Sequence, residues 1–372
     1  MIYIHIYEEF SLTGGGVRSV VADVSCELAR EGLEIYIISL MPPADGKLNA
    51  ILNWSEKQNV NYILSRGDND SSFHSLRAIR NIIKSLSIRD KCCLFLHLKR
   101  GMLAGILSTM FLKNIKRVEV YHSGYMNYKL QSFFSRPFID HYISVSKDAK
   151  MQLIEQFGIE ESKISVIYNG INPSYVRSLV LPIERNLNIL RFLSVGRLSY
   201  EKGFSTSIHA YSLLRKENEL IHSEYIMAGD GPDKGICLDY SDGFVTLLGM
   251  IPRESVYSYM NSADVMITPS LWEGNSIVLL EVLAIGCAVI ATDIPAYREV
   301  LGNDPLKDGE LYRLEKFGAV FKKDNVEACK AAIKAIYVNR CSIPAMKEFV
   351  AGLMDLYTVQ IQTNKYVEVA NM

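Results

Sequence analysis

The fold is decided by residues 189–204, which read ILRFLSVGRLSYEKGF. The first seven residues are mostly apolar, as in a strand of a parallel sheet that is buried on both faces. Gly196 then opens a turn that carries Arg197 and Lys202, and a helix is predicted to start after Gly203. A strand, a glycine turn and a helix in this order form the repeating unit of a doubly wound α/β domain.

The same alternation of apolar runs and helical patterns extends in both directions from this stretch. Strands are predicted at 2–7, 35–40, 60–64, 92–98, 117–122, 142–145, 164–167, 189–195, 225–228, 244–247, 265–268, 288–291 and 319–321. Helices are predicted at 17–30, 72–86, 147–157, 206–216, 276–285 and 325–338. Strands that alternate with helices predict an α/β fold in which right-handed crossovers join parallel strands.

The pattern restarts once, which predicts two domains. Residues 172–188 lose clean periodicity and contain two prolines, so we interpret them as a linker. We expect one doubly wound domain over 1–175, a second over 186–340, and a helical segment over 341–372 that packs back towards the first domain. Ligands of such sheets bind at the carboxyl ends of the strands, so a cleft between the two domains is the expected site.

Composition indicates a soluble globular protein. The 372 residues are 49% apolar and 22% charged, and 40 Lys and Arg against 41 Asp and Glu leave a net charge of −1. A nucleic-acid binder is usually far more basic, so no nucleic-acid partner is expected. Seven scattered cysteines form no CxxC pair, which argues against a disulfide framework and a zinc site. We recognise no secretory signal and no membrane-spanning helix, and therefore expect a reduced, cytoplasmic location.

Two carboxylates follow one of the later strands. Glu273 lies in the loop after that strand, and Glu281 lies eight residues on, in an apolar helix that begins near Ser276. Eight helical positions amount to about 80° of net rotation, so both carboxylates can address the same side. A carboxylate in an apolar helix needs a partner, because unpaired burial is costly. That partner is either a ligand or an Arg or Lys elsewhere in the chain.

Two further loops can bind an anion. Arg197 and Lys202 flank a strand–helix turn and suit a diphosphate, because Arg grips oxygens bidentately and Lys acts as a point charge. The helix that follows adds amide donors, although a basic pair in a loop is often only solvated surface. The loop Gly14-Gly15-Gly16, after the first strand, can also present its amides to an anion, but it is not a GxGxxG motif.

Histidines are assigned by their position along a strand. A histidine at the carboxyl end of a strand can face a ligand, whereas one in the middle of a strand usually packs in the core. His122 ends a predicted strand and is a candidate site residue, and His97 is a weaker one. By the same reasoning, His5 and His209 are expected to be structural.

These residues together resemble a known family. The chain resembles the retaining glycosyltransferases of family 4, whose GT-B architecture is α/β, with two Rossmann-like doubly wound domains facing across a cleft. The matching segments, in chain order, are Gly14-Gly15-Gly16, residues 143–146 and 166–171, Gly196-Arg197 with Glu201-Lys202-Gly203, Ala228-Gly229-Asp230-Gly231-Pro232, and the Glu-x7-Glu signature from Glu273 to Glu281. The ordered set is specific, and it is stronger in the second half of the chain than in the first.

The resemblance implies a role for each candidate residue. Arg197 and Lys202 would bind the donor diphosphate, Glu281 the ribose hydroxyls and Glu273 the donor sugar, and His122 would lie near the reacting sugar carbon. The implied donor-binding set is Gly15, Gly16, Gly196, Arg197, Lys202, Glu273, Gly274, Asn275, Ser276 and Glu281, and the implied catalytic set is His122, Arg197, Lys202 and Glu273. Two departures are Asn275-Ser276, where a bulky apolar and a small residue are usual, and the unexplained length of 302–316.

The resemblance also implies the reaction. A sugar, expected to be a hexosyl group, would pass from a nucleotide diphosphate sugar to a hydroxyl of a glycan or lipid-linked glycan, as in surface polysaccharide biosynthesis. The first domain would hold the acceptor and the second the nucleotide sugar. Arg197 and Lys202 would neutralise the departing diphosphate, so neither a metal nor a cofactor is implied. No carboxylate nucleophile is recognised, which favours front-face substitution with retention over double displacement.

Three alternatives remain open at this point. Asp68-Asn69-Asp70 matches the Asp-x-Asp string of metal-dependent transferases, although it precedes a predicted helix and suits a loop or cap. A catalytically silent GT-B scaffold subunit would retain the fold without turnover. A nucleotide-sugar epimerase would convert the sugar nucleotide without an acceptor.

The basic region 77–136 is the main asymmetry of charge. It holds twelve Lys or Arg against two acids, with aromatic residues interleaved. One interpretation is a surface for peripheral contact with an anionic membrane at its inner face, or for an anionic acceptor. The other is a solvated helix face above core aromatics.

Overall fold

The computed structural model describes residues 1–12, 15–43, 46–65, 72–122 and 134–372. Gly14 of the glycine loop and the string Asp68-Asn69-Asp70 lie outside the described residues. The chain divides into two compact units, one of Met1–Ile171 with Val359–Met372, and one of Asn172–Thr358. Each unit is a single sheet with helices, and each is described separately below.

The first unit is built on a seven-stranded parallel sheet. Its strands are β1 Ile2–Glu9, β2 Glu34–Met41, β3 Asn61–Leu64, β4 Cys92–His97, β5 Ile115–Tyr121, β6 His141–Ser144 and β7 Ile164–Val166, in the spatial order β3-β2-β1-β4-β5-β6-β7. Every residue of β4 is buried, as its uninterrupted apolar sequence predicts. The helices between these strands are α1 Gly16–Arg30, α2 Leu48–Gln58, α3 Ser72–Arg89, α4 Leu98–Thr109 and α5 Lys147–Glu155, with 3₁₀ turns at Arg136–Phe138 and Glu161–Lys163.

The second unit repeats this plan with one antiparallel strand. Its strands are β8 Leu190–Val195, β9 Ser223–Ala228, β10 Val245–Gly249, β11 Val265–Thr268, β12 Ala288–Thr292, β13 Tyr312–Glu315 and β14 Gly318–Phe321, in the order β10-β9-β8-β11-β12-β14-β13. Its helices are α6 Pro173–Ser178, α7 Phe204–Lys216, α8 Lys234–Ser241, α9 Arg253–Ser262, α10 Ile277–Ile285, α11 Pro295–Leu301, α12 Val326–Val338 and α13 Ile343–Gly352, with 3₁₀ turns at Tyr200–Lys202, Arg340–Ser342 and Leu353–Leu356. The two sheets confirm the predicted α/β class.

Every predicted strand is present, with its ends displaced by at most two residues. β13 is the strand that the sequence did not indicate, and it accounts for part of the unexplained length of 302–316. Its residues alternate between exposed and half-buried, and it pairs antiparallel with β14 at the edge of the sheet. Without a buried face, this edge strand has no apolar run by which it could be recognised.

The boundaries of the units differ from the expected 1–175, 186–340 and 341–372. The expected linker begins with α6, where Asn172 caps the helix by accepting from the Tyr175 amide at 3.0 Å, and where Arg177 Nε donates to Ala284 O at 2.7 Å. α13 belongs to the second unit, in which it contacts α10 and β12. The last helix, α14 Val359–Asn371, belongs to the first unit and packs on α1. Its Gln362 Oε1 accepts a hydrogen bond from the Gly170 amide at 2.8 Å.

Both sheets reverse their strand order at one point. In the first unit the reversal lies between β1 and β4, and in the second between β8 and β11. Loops that leave the carboxyl ends of such strands diverge to opposite faces and open a crevice, which is where ligands of doubly wound sheets bind. The candidate residues Gly15, Gly16, Arg197, Lys202 and Glu273 all lie in the segments that follow β1, β8 and β11 at their carboxyl ends.

Two chain-wide features concern the class of protein. Within the part of the chain that the structure describes, no helix combines the length and the apolar character needed to cross a membrane. The seven cysteines are free thiols, and five of them are buried: Cys92, Cys93, Cys237, Cys287 and Cys329.

Candidate active site

The loop after β8 is fixed by neighbouring loops on both sides. The Leu198 amide donates to Asp230 O at 3.0 Å, and the Asp233 amide donates to Leu198 O at 2.9 Å. On the other side, the Leu271 amide donates to Glu201 O at 2.8 Å. The turn that carries the two candidate cations is therefore tied by its backbone to the loops after β9 and β11.

Two glycines allow this close contact of loops. Gly203 has φ 61°, and a Cβ at this position would lie 2.3 Å from Pro269 O. Gly229 has φ 152°, and a Cβ there would lie 1.8 Å from Gly196 O. No side chain fits in either space. Gly203 and Gly229, which both lie in segments that match the family, therefore allow the loops to pack at this distance.

Lys202 and Glu273, predicted separately, are in direct contact. Lys202 Nζ lies 2.6 Å from Glu273 Oε1, and the Ser270 hydroxyl donates to the same oxygen at 2.9 Å. The Glu273 side chain is only 12% exposed. Among the described residues, Glu273 Oε2 accepts no hydrogen bond. One oxygen of the carboxylate is therefore fixed and the other is available to a ligand.

Tyr297 is a member of this cluster that sequence reasoning missed. Its hydroxyl donates to Ser270 Oγ at 2.9 Å, lies 3.4 Å from Glu273 Oε1, and makes a short hydrogen bond with Thr268. Burial, and then the charge of Glu273, raise the pKa of Tyr297, so the hydroxyl keeps its proton. It lies in the short helix α11, which carries no motif, so the sequence held no signal for it.

Glu281 has a protein partner. Arg253 Nη2 donates to Glu281 Oε1 at 2.8 Å, and the Tyr257 hydroxyl donates to the same oxygen at 2.9 Å. The ion-pair alternative from the sequence is thus present, and Glu281 Oε2 still accepts no hydrogen bond in the described chain. The helix α10 is capped by Ser276 and ends at Gly286, which has φ 82°, as predicted.

Arg197 differs from the other charged candidates. Its side chain is exposed, and within the described residues it forms no ion pair or hydrogen bond. Gly196, which precedes it, adopts φ 151° at the end of β8. Gly274, Asn275 and Ser276 are buried where α10 begins. The second unit therefore joins Lys202 directly to Glu273, keeps Glu281 on a separate pair of donors, and leaves Arg197 uncommitted.

The candidate residues of the first unit comprise a helix start and a histidine. Gly15 has φ 70° and precedes α1, where its carbonyl accepts the amides of Arg18 at 3.2 Å and Ser19 at 3.4 Å. Gly16 is exposed at the first position of the helix. His122 lies one residue after β5, as predicted from its place at a strand end.

His122 is hydrogen-bonded to His97, which is hydrogen-bonded in turn to His5, and the sequence ranked both below His122. His97 Nδ1 lies 3.0 Å from His122 Nε2, and His97 Nε2 lies 2.8 Å from His5 Nδ1. Burial lowers the pKa of His122 to about 4 and that of His5 to about 3, and it lowers the pKa of His97 as well. His5, expected to be structural, is therefore connected to the candidate site residue through one ring.

No metal site is apparent in the described ranges. No group of three or more His, Cys, Asp or Glu side chains is arranged there to hold an ion. The expectation that no metal or cofactor takes part stays a prediction.

Family profiles match both halves of the chain. The profile described as Glycosyltransferase Family 4 matches residues 14–175, and the one described as Glycosyl transferases group 1 matches residues 183–349. The chain belongs to the family 4-like glycosyltransferases. The predicted family and its GT-B fold are thereby confirmed, since the two profiles fall on the two doubly wound units.

Curated relatives of this family 4-like chain are named as glycosyltransferases. An uncharacterized glycosyltransferase, MJ1607, from Methanocaldococcus jannaschii is 32% identical over 178 residues, which is 44% of each chain. The N-acetylgalactosamine-N,N'-diacetylbacillosaminyl-diphospho-undecaprenol 4-alpha-N-acetylgalactosaminyltransferase of Campylobacter jejuni is 29% identical over 206 residues, or 54% of this chain and 51% of the relative. The matched segment thus spans about half the length of these relatives.

A solved structure shows the same fold over the whole chain. Alr3699/HepE from Anabaena, in complex with UDP, superposes with a TM-score of 0.76 at 14% identity and covers 100% of both chains. At this identity the likeness concerns the GT-B fold of the family 4-like chain.

Proposed function

We propose that this chain transfers a sugar from a nucleotide diphosphate sugar to a hydroxyl of a glycan acceptor. The observation that carries the proposal is the contact between Lys202 and Glu273 beside the uncommitted Arg197, in loops after β8 and β11. These loops lie where the strand order reverses, which is the usual ligand crevice of such a sheet. A relative that transfers N-acetylgalactosamine and a neighbour that binds UDP support it.

Arg197 and Lys202 are suited to stabilise the negative charge that forms on the leaving diphosphate. When the bond from the anomeric carbon to the diphosphate breaks, negative charge collects on the diphosphate oxygens. Lys202 has three N–H donors, so it can keep Glu273 and still donate to a phosphate oxygen. The Arg197 side chain forms no ion pair in the described chain and can bind the diphosphate bidentately. Fixed charges at this position stabilise the transition state more than the ground state.

The two carboxylates suit the hydroxyls of the donor. Glu273 and Glu281 each use Oε1 for protein donors, while Oε2 makes no bond in the described chain. An ionised carboxylate is an acceptor only, so each Oε2 favours a hydroxyl donor. We assign Glu273 to the sugar and Glu281 to the ribose, and the backbone of 274–276 to the sugar as well.

We propose that the transfer retains the anomeric configuration through front-face substitution and not through double displacement. Glu273 holds Lys202 and Ser270 on one oxygen, and we assign its other oxygen to binding the sugar and not to attack on the anomeric carbon. A front-face substitution, in which the leaving diphosphate accepts the acceptor proton, needs no further base. Arg197 and Lys202 supply the charge that a divalent ion would otherwise supply, so the transfer is proposed to be metal-independent.

The experiment for this proposal is a transfer assay in excess chelator. Thermal shift first ranks a panel of sugar nucleotides, because a ligand that binds the native state raises its apparent stability. The best donor is then labelled and incubated with lipid-linked and free glycan acceptors. Transfer with the anomeric configuration retained supports the proposal, as read by NMR of the product. Conversion of the donor alone would indicate an epimerase, and binding without turnover would indicate a silent scaffold.

A second part of the proposal is peripheral contact with an anionic membrane at its inner face, which also favours a cytoplasmic location and a lipid-linked acceptor. The side chains of Leu103, Leu107 and Phe111 are 37%, 52% and 89% exposed along and just after α4. Two of them are four residues apart on the same helix face. Lys113 is exposed beside them, so apolar and basic groups adjoin, as they do in surfaces that enter the headgroup layer.

Only part of the basic region 77–136 is free for such contact. Six of its cations bind protein groups: Arg80, Arg89, Arg100, Lys116, Arg117 and Arg136. Four are exposed with no ion pair in the described chain: Arg77, Lys84, Lys91 and Lys113. Lys129 and the aromatic residues 125, 128 and 133 lie outside the described residues.

Liposome flotation tests the membrane part. Vesicles with anionic lipid should retain the protein at low salt and release it at high salt, since each cation near the surface contributes about 1 kcal/mol. The double variant Leu107→Ser with Phe111→Ser should bind at least about fivefold less. Met250→Ser, which changes an 84% exposed apolar residue of the second unit, is the matched control. Equal retention of all three proteins would contradict this part.

A further inference from the structure

Three histidines of the first unit form one hydrogen-bonded line. His5 Nδ1 is 2.8 Å from His97 Nε2, and His97 Nδ1 is 3.0 Å from His122 Nε2. The rings are stacked, with centroids 5.0 Å and 5.3 Å apart and planes inclined by 28° and 27°. His5 and His97 are completely buried, whereas His122 is half-buried. The line therefore runs from the core to a partly exposed end.

The sheet geometry produces this line. β1, β4 and β5 are adjacent and parallel, with His5 paired to Phe95 and His97 paired to Val120. From each histidine to the next, the line moves one strand sideways and two residues towards the carboxyl edge. A step of two residues keeps every ring on the same face of the sheet.

The two hydrogen bonds couple the tautomers of the three rings. A neutral imidazole has one N–H and one acceptor nitrogen. If His5 donates from Nδ1, His97 accepts on Nε2 and must itself donate from Nδ1, and His122 then accepts on Nε2. If the direction is reversed, all three rings carry the proton on Nε2. In each direction all three rings carry the proton on the same nitrogen, which is Nδ1 in the first case and Nε2 in the second. The tautomer of the buried His5 therefore sets the tautomer of the partly exposed His122.

The buried end distinguishes the two directions. His5 Nε2 is buried and has no hydrogen-bond partner among the described residues. The reversed direction would place an N–H there without an acceptor, and a buried N–H without a partner is the rarer defect in proteins. The other direction places only a lone pair there. The line should therefore point outwards, from His5 to His122.

The rings around the line do not oppose this arrangement. Three aromatic rings lie near the line, as measured between ring centroids. The centroid of Tyr7 is 6.1 Å from that of His97, and the centroids of Tyr366 and Phe95 are 6.3 Å and 5.1 Å from that of His5. Burial raises the pKa of both tyrosines, so both are neutral at physiological pH. The three histidines are neutral too, because burial lowers the pKa of each.

We propose that His5 and His97 are positioning residues that hold His122 as the Nδ1–H tautomer, so that His122 offers its ligand a hydrogen-bond donor and not a base. His122 Nδ1 has no partner among the described residues, and it is the nitrogen left for a ligand. The inference rests on the proposed function only in taking that ligand to be the nucleotide sugar. A donor at this point suits an oxygen of the sugar, and it cannot abstract a proton from water.

The direct test is the tautomer itself, read by long-range ¹H–¹⁵N correlation spectra of protein labelled at its seven histidines. We expect His5, His97 and His122 to show a protonated Nδ1 and a bare Nε2, unchanged between about pH 5.5 and 8. A protonated Nε2 on His122, or a ring that titrates near its usual pKa, would overturn the proposal. The spectrum needs no variant and no turnover, so a failure of the proposed function would leave this test intact.

A pair of variants at His5 tests the positioning role. In His5→Asn the amide N–H can replace Nδ1–H as the donor to His97, whereas His5→Phe removes the donor and keeps a ring. We expect Asn to retain the tautomer of His122 and most of the transfer rate. Phe should mix the tautomers and lower kcat/KM about tenfold, as expected for one lost hydrogen bond. Unchanged tautomers in the Phe variant would contradict the positioning role, as would an equal loss in both variants.

Discussion

At the scale of single residues, the site depends on how two carboxylates divide their oxygens. Glu273 binds Lys202 and Ser270 through Oε1, and Glu281 binds Arg253 and Tyr257 through Oε1. In both cases the protein satisfies one oxygen, which fixes the carboxylate without consuming it. A buried carboxylate with no protein partner would be too costly to hold ready for a ligand.

The variant Lys202→Ala tests the role of the Lys202 ammonium, which the Glu273 carboxylate holds in place. The change removes a charge that faces the proposed diphosphate, so we expect kcat to fall by about 10²–10³-fold with the fold retained. Lys216→Ala is the matched control, because Lys216 is also in a lysine–carboxylate pair but lies at the far end of α7. Steady-state transfer rates and circular dichroism of both variants decide the matter. Similar losses in the two variants would contradict the assignment.

Glu281→Gln tests the oxygen that is free. The amide keeps an acceptor for Arg253 and Tyr257 but weakens a charge-assisted bond to a ribose hydroxyl, so nucleotide affinity should fall about tenfold or more. Tyr257→Phe removes one donor to Oε1 and leaves Oε2 in place, so its affinity should change by no more than about twofold. Calorimetric titration with the preferred nucleotide measures both. An affinity loss for Tyr257→Phe as large as that for Glu281→Gln would show that Oε2 is not the contact.

At the scale of elements, much of the second unit could be predicted from sequence. The strand–glycine–helix order located β8 and α7, and Ser276 with Gly286 located the ends of α10. What could not be predicted depends on packing between distant segments. Arg253 and Tyr297 become site residues only because α9 and α11 flank the carboxylates. His5 joins His122 only through the order and register of three strands.

Gly203→Ala tests the close contact between the loops after β8 and β11. A Cβ would lie 2.3 Å from Pro269 O, and φ is 61°, so strain and overlap add. Gly309→Ala is the control, with φ 82° and no atom within 4 Å of the added Cβ. We expect Gly309→Ala to lower the free energy of unfolding by about 1 kcal/mol and Gly203→Ala by at least ~2 kcal/mol more. Chemical denaturation measures the difference, and equal losses would show that the loops are not in contact.

At the scale of the whole molecule, the buried histidine line makes the stability of the first unit depend on pH. The buried histidine line belongs to the first unit, and burial lowers the pKa of its rings well below that of a histidine in an unfolded chain. Below about pH 6.5 the unfolded chain binds protons that the folded unit excludes, so stability is lost as the pH falls. The half-buried Glu119 has the opposite effect on stability. Burial raises the pKa of its carboxyl to about 7, so the folded unit binds this proton before the unfolded chain does as the pH falls.

The first unit should therefore lose stability between pH 7.5 and 5. Each of the three histidines of the line lowers the free energy of unfolding by about 2 kcal/mol over this interval. Protonation of Glu119 offsets the loss from about one histidine. The two tryptophans allow the units to be followed separately, since Trp54 lies in the first unit and Trp272 in the second. In Trp272→Phe protein, the Trp54 denaturation midpoint should fall on acidification, and Glu119→Gln should make the fall steeper. A pH-independent midpoint would contradict the burial of neutral histidines.

Arg197 and Lys202 are proposed to bind the diphosphate of a nucleotide in place of a divalent ion. Calorimetric titration of uridine, guanosine and adenosine diphosphates into the protein in excess chelator measures this binding. We expect one of the three nucleotides to bind without metal, and its affinity to be at least about a hundredfold lower when both residues are alanine. Binding that needs a divalent ion, or that survives the double substitution unchanged, would contradict it.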